Sequence, residues 1–202
     1  MLKCKKCVFI SVVVCSLFFV FSVKAASFEK YAPKLLRFEG KGYGIHKAVW
    51  GEKDFTKSQA LQILRKEYWD KYHGNAFKHQ EVAEVLIDHL INAGPGKENE
   101  HIKAFEAIIG VAQNGVLSLK DIERANSFYF AEQVVNPYVK YRIYYYHTRK
   151  KSAEYPGWVT RAASFFIKNT NLHASIADVS LPADIEKRFR YVDFNSVYAV
   201  NR

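Results

Sequence analysis

Apolar positions recur at helical spacing through most of this chain. Thr56-Lys57-Ser58-Gln59 has the form of a capping box, and Leu61, Leu64, Tyr68 and Tyr72 follow on one face. Val82, Val85, Leu86, His89, Leu90 and Ala93 form a second apolar face, stopped by Gly94-Pro95-Gly96. Ile102, Phe105, Ile108 and Ile109 form a third, ending at Gly110. Ser118 and Asp121 open a fourth helix, predicted to run through Ile122, Ala125, Tyr129 and Val135 until Asn136-Pro137 ends it. A tyrosine-rich helix (Tyr138, Tyr141, Tyr144, Tyr145) comes next, and Val159, Ala162, Ala163 and Phe166 mark a last clear one. No stretch alternates with period two for long, although residues 188–200 could form a short edge strand. The pattern predicts a mainly all-α fold. Beyond Asn169 the periodicity weakens, and the segment reads as an appended tail.

The first 26 residues predict the compartment. Lys3, Lys5 and Lys6 precede an apolar run over residues 8–21, then Ser22-Val23-Lys24-Ala25-Ala26. This is the order of a secretory signal peptide cut after Ala25. The run is shorter than the ~18–20 residues of a spanning helix, so no stable membrane insertion is expected after cleavage. The expected location is secreted or periplasmic. All three cysteines (Cys4, Cys7, Cys15) fall in the removed part. The mature chain would therefore have no disulfide, thiol nucleophile or cysteine metal site. Loss of Lys3, Lys5, Lys6 and Lys24 takes the formal charge from +10 to +6. A basic, aromatic-rich exported protein suits an anionic polymer such as cell wall better than nucleic acid.

The candidate chemistry centres on Glu39. It closes the apolar segment Leu35, Leu36, Phe38, and Gly40 and the aromatic loop Gly42-Tyr43-Gly44-Ile45 come directly after. A helix C-terminus and apolar neighbours both disfavour ionisation, which suits a general acid for glycosidic cleavage. Glu81, Glu84, Asp88 and Asn92 form a polar stripe on one helix. Such a stripe ordinarily faces water; the sharper reading has Asp88 and Asn92 lining a cleft. Tyr43, His46 and Trp50 are candidate loop contacts to sugar. The histidines lack the spacing of a helical metal pair, and no metal or cofactor is implied. His89 reads as a core histidine, and the tyrosines of residues 138–146 as core before stacking surface.

Phe38-Glu39-Gly40 with Tyr43-Gly44-Ile45, Tyr68-Trp69, Val82-Ala83, Asp88-xxx-Asn92-x-Gly94, Gln113-Asn114-Gly115, Tyr144-Tyr145 and Pro156-Gly157-Trp158-Val159-xx-Arg161 form an ordered set. The set resembles glycoside hydrolase family 108, lysozyme-like N-acetylmuramidases with a C-terminal peptidoglycan-binding region. The resemblance implies a lysozyme-like helical fold, peptidoglycan as partner and substrate, and Glu39 as catalytic acid. It divides the chain into a signal peptide (1–25), a lysozyme-like catalytic region (26–110), a peptidoglycan-binding-like helical region (111–168) and a C-terminal tail (169–202). A monomer is expected. The chain departs from the family in one place: the long loop after Glu-Gly, with its Asp and Thr, is missing. An inverting hydrolase needs a second carboxylate ~6.5–9.5 Å away, for which Glu52, Asp54 and Asp88 are the candidates. A lytic transglycosylase using Glu39 alone, or a non-catalytic wall-binding protein, are the alternatives.

Overall fold

The computed structural model describes residues 25–43, 45, 54–149, 156–168 and 175–189. The signal segment up to Lys24, the loop residues His46, Trp50 and Glu52, and the possible strand beyond Phe189 lie outside the described residues. Among the described residues every regular element is helical.

Helix α1 (Phe28–Glu39) buries Phe28, Tyr31, Ala32 and Leu35, one stripe at helical spacing. Pro33 lies inside it, but the carbonyl it deprives of a donor is that of exposed Glu29, where water can serve. Gly40 ends α1 at φ 59°, donating its N–H to Leu36. Helix α2 (Lys57–Leu64) begins with the predicted capping box, with Thr56 and Gln59 bonded reciprocally. It continues into a π-helical turn over Arg65–Asp70. The wider turn breaks the 3.6-residue phase. Trp69 turns inward and is fully buried, while Tyr68 and Tyr72, expected on the core face, stay half-buried. Trp69 stacks on Tyr31 at 5.8 Å and donates its indole N–H to Asn75 at 2.7 Å.

Helix α3 (Gln80–Ala93) is the central helix, with every residue from Val82 to Leu90 buried, Glu84 and Asp88 included. Glu84 and Asp88 of the polar stripe therefore point into protein, while Glu81 stays exposed. Helices α4 (Glu100–Ile109) and α5 (Leu119–Asn126) follow, α5 with its Ser118–Asp121 capping box. The fourth helix is shorter than expected: α5 stops at Asn126, and Tyr129 is 77% exposed. Val134 and Val135 open helix α6 (Glu132–His147), which runs straight through Pro137. The carbonyl that Pro137 frees belongs to exposed Gln133, so the proline costs the helix little.

Helix α6 packs against α3, α4 and α7 (Gly157–Ala163), and its five tyrosines are buried. The last segment is docked rather than merely appended. Leu181, Ile185 and Phe189, the latter two in and after α8 (Ala183–Arg188), join the core. Phe189 meets the rings of Tyr141 and Tyr144, and Lys140 donates to the carbonyls of Ala177 and Val179 at 3.1 and 2.5 Å.

Between α3, α4 and α6 two histidine rings face each other with centroids 4.1 Å apart. His89 Nδ1 pairs with the Tyr138 hydroxyl at 3.1 Å and His101 Nδ1 with that of Tyr141 at 2.7 Å, while both Nε2 atoms lack a partner. Burial, then His101 and the arginines 142 and 161, hold His89 well below the usual histidine range. Burial, then Arg142 and Arg149, bring His101 down to about 3. The unfolded chain takes up both protons near pH 6.5, whereas the folded one resists. Stability is therefore full above pH 6.5 and falls below it, by about 1.4 kcal/mol per pH unit for each histidine. Urea unfolding at pH 7.0, 5.5 and 4.5 should show this loss, with roughly half the slope in His101→Gln. An unchanged midpoint across that range contradicts a neutral buried pair.

Candidate active site

Glu39 is the last residue of α1, and the 3-10 turn Gly40–Gly42 leads the chain away from it. Tyr43 follows in the left-handed region (φ 52°), half-buried, with its N–H on the Gly40 carbonyl. The Glu39 side chain is 13% exposed, and its Oε1 is shut off from solvent. Arg161 Nη2, from α7, lies 2.7 Å from that oxygen. No aligned hydrogen bond joins them, so the contact is an ion pair by distance. The N–H groups of Arg161 are aimed instead at Asp88 of α3, Nε at 3.0 Å from Oδ2 and Nη2 at 2.8 Å from Oδ1. The Arg161 guanidinium also covers the ring of Phe38 at 4.7 Å.

Asp88 is fully buried. Besides Arg161 it accepts from Arg142 Nη2 at 2.8 Å and from the Tyr31 hydroxyl at 2.7 Å. Arg142 is also fully buried and donates its other terminal nitrogen to the Val85 carbonyl at 3.2 Å. The charges alternate: Arg142, Asp88, Arg161, Glu39. Burial alone would raise the Asp88 carboxyl, but Arg142 and then Arg161 outweigh it, and the carboxyl ends below its ordinary value. Burial works against the charge of Arg161 too, yet Asp88 and then Glu39 leave it above the usual arginine range. Burial and then Asp88 push the Tyr31 phenol well up, so it stays a hydrogen-bond donor.

Two aromatic groups and a second ion pair border this network. Tyr68 lies near enough to Glu39 that, after burial, the Glu39 carboxylate helps push its phenol up. Lys34 pairs with Glu84 at 3.3 Å and sits over the Phe165 ring at 3.5 Å. Among the described residues no group of three or more His, Cys, Asp or Glu could hold a metal ion.

The structure thus brings Glu39 and Asp88 together through Arg161, but in different roles. Asp88 does not line a cleft, and it is unavailable as a second carboxylate: its oxygens are sealed and occupied by two arginines and a tyrosine. Asp54 is exposed ahead of α2. Asn92 is half-buried, accepts the Tyr146 hydroxyl at 2.5 Å, and borders a cavity of about 150 Å³ with Ala93, Tyr145, Tyr146, Arg149 and Trp158. Sequence reasoning missed the roles of Tyr31, Arg142 and Arg161. Arg142 could have been found, since an arginine inside a tyrosine-rich core helix demands a buried counter-charge. Arg161 was visible as a motif residue without a role.

Removing one partner of a buried ion network leaves the others uncompensated, at a cost of about 3–5 kcal/mol. Asp88→Asn should lower unfolding stability by that order in chemical denaturation. A change within about 0.5 kcal/mol, as at an exposed polar site, contradicts the hub.

No curated protein sequence matches the chain. Among solved structures it is similar to the Brucella abortus SagA structure, at 22% identity and a TM-score of 0.57, over 72% of this chain and 98% of that one. The likeness supports the helical fold. The family model of glycosyl hydrolase 108 matches residues 34–94, the segment that holds Glu39, Asp88 and Asn92. Over these residues the chain is similar to glycosyl hydrolase family 108, a family of glycoside hydrolases.

Proposed function

We propose that this protein is an exported peptidoglycan hydrolase, an N-acetylmuramidase that cleaves the bond from N-acetylmuramic acid to N-acetylglucosamine with Glu39 as general acid. The observation that carries this reading is the contact of Arg161 with Glu39, which lies in the segment matching the family model. A general acid that gives its proton to the leaving oxygen becomes a carboxylate. Arg161 meets that new charge at 2.7 Å, held in place by Asp88 and the Phe38 ring. A fixed cation aimed at charge that develops during the reaction favours the transition state over the ground state. With Oε1 turned to Arg161, Oε2 is the oxygen available to pass a proton to the leaving group.

Export remains part of the proposal. Ala26, the residue after the proposed cut, is buried, and its N–H bonds to the Phe77 carbonyl at 2.9 Å. Ser27 and Gln80 then pair through backbone and side chain. No helix of the described residues is long and apolar enough to cross a membrane.

A lytic transglycosylase is the second reading, favoured by the sealing of Asp88. In that chemistry the substrate's own 6-hydroxyl attacks, and a single carboxyl serves as acid and then base.

Glu39→Gln keeps the shape and removes the proton donor. Clearing of purified sacculi in a zymogram should fall at least ~100-fold, while sacculus binding persists. Comparable clearing by the variant sinks the assignment of Glu39. With the wild-type protein, reducing N-acetylmuramic acid ends mean that water attacked; 1,6-anhydro ends mean the transglycosylase. Retention on sacculi without clearing in the wild type supports a binding module instead.

Charge supplies a separate check. If the basic surface holds the protein on anionic wall polymer, retention should weaken between ~0.05 and ~0.5 M salt as the screening length shrinks. Retention independent of salt points to sugar stacking as the main source of affinity.

A further inference from the structure

Among the described residues the large apolar side chains left more than half exposed are Val116, Leu119, Tyr129 and Phe130. All lie between residues 116 and 130, at the two ends of α5. Exposed apolar groups gathered in one place mark a contact surface, whereas scattered ones need no explanation. Val116 is held out on a braced turn: buried Glu106 accepts the Gly115 N–H at 2.8 Å, and the Asn114 side chain accepts that of Val116 at 2.7 Å. Tyr129 and Phe130 form an exposed pair, edge to face, with ring centroids 4.6 Å apart.

A cavity of about 260 Å³ opens at the other end of α5, lined by Leu119, Asp70, His73 and the turn Gly74-Asn75-Ala76. It is preformed. A Cβ on Gly74 would come within 2.4 Å of the buried Trp69 ring, and Asn75 accepts the Trp69 indole N–H at 2.7 Å. From this cavity the segment 73–79 runs alongside α5 toward the aromatic pair. Asn126 bonds the Ala76 carbonyl at 2.8 Å and the Lys78 N–H at 2.7 Å, and His79 meets the Phe128 carbonyl at 3.1 Å. The strip therefore begins with a hole lined by Leu119 and an acid, Asp70, and ends with an aromatic knob beside a cation, Lys78. Both charges are exposed, and the contact of Asp70 with Arg65 Nε is a loose one at 3.8 Å. Between knob and hole the exposed face of α5 carries Lys120 and Glu123, with Arg124 turned back onto the Ile109 carbonyl at 2.9 Å. No run of like charge sets the strip against its own copy.

We propose that this strip is a self-complementary dimer interface. Two copies of the chain pack α5 beside α5 about a two-fold axis, and Tyr129 and Phe130 of each enter the Leu119 cavity of the other. A strip with a knob at one end and a hole at the other is closed by its own copy running in the opposite direction, which is the isologous arrangement. The same rotation sets Asp70 of each copy against Lys78 of the other. A different protein would need only one half of the strip, and a lipid surface would need neither the hole nor the acid. Trp69, which backs the cavity, packs on Tyr31, and Glu39 lies two turns further along α1, about 12 Å away. Both copies therefore keep Glu39 outside the interface. The dimer departs from the monomer expected from the sequence and does not rest on the reading of Glu39.

Sedimentation velocity of the purified protein tests this between ~1 and ~100 µM, around the weak end of protein interfaces. A species of twice the chain mass should grow with concentration. Tyr129→Ser combined with Phe130→Ser should leave only monomer, with helix content unchanged because both side chains are exposed. Charge reversal tests the register. Asp70→Lys alone and Lys78→Asp alone should each weaken the dimer roughly tenfold, since each sets like charges together twice. An equimolar mixture of these two variants should recover it, because in the mixed dimer the two-fold restores both pairs. Damage to folding would give no such recovery. A monomer across the whole range overturns the proposal. So does a dimer indifferent to Tyr129 and Phe130, or a mixture that fails to recover. If the protein stays monomeric and binds phosphatidylglycerol vesicles through Tyr129 and Phe130, the strip faces lipid and the second copy is overturned.

Discussion

The buried carboxylate of Asp88 is the constraint on which the rest depends. A fully buried arginine cannot persist without a counter-charge, and this protein buries Arg142 completely and Arg161 nearly so. Asp88 answers both and accepts a third hydrogen bond from Tyr31. In doing so it ties together the helices that carry those residues: α1, α3, α6 and α7. Such a hub contributes specificity more surely than stability, because desolvating the charges opposes their attraction. Apolar packing around Trp69, Leu86 and Tyr138 supplies the main driving force.

The same hub makes the candidate site. Asp88 leaves Arg161 with one net positive charge to offer, and Arg161 offers it to Glu39 at the protein's edge. The expected influences on Glu39 were apolar contact and a helix C-terminus, both unfavourable to its ionised form. The tertiary structure adds a cation, Arg161, at 2.7 Å. Glu39 thus has a partner both for the charge it must acquire and for its geometry. Removing a side chain far from the substrate, such as Asp88, would reach the site through Arg161.

The tyrosine-rich helix α6 carries two duties along one sequence. Its Tyr138 and Tyr141 hydroxyls meet the neutral His89–His101 pair, and its Arg142, next to Tyr141 in the chain, enters the ion network. Tyr145 and Tyr146 then border the cavity beyond. Polar atoms on large rings let one helix pass from a dry core to a wet edge without leaving many buried groups unpaired.

Helical class, the two capping boxes, the core faces of α3 and α4 and the buried tyrosines were legible in the chain because each is a local pattern. Periodicity, hydroxyl-plus-acid spacing and glycine stops act over a few residues. The position of Glu39 at a helix end was equally local. What the pattern misjudged was also physical. A π turn shifted the phase of Tyr68 and Tyr72, and Pro137 proved tolerable because its orphaned carbonyl faces water. The stripe of Glu84 and Asp88 turned inward because its partners, Lys34, Arg142 and Arg161, lie 50, 54 and 73 residues away. No local rule can pair charges over such distances. Only the packing of four helices decided that Asp88 is a buried anchor, that Arg161 faces Glu39, and that a cavity opens one turn further along.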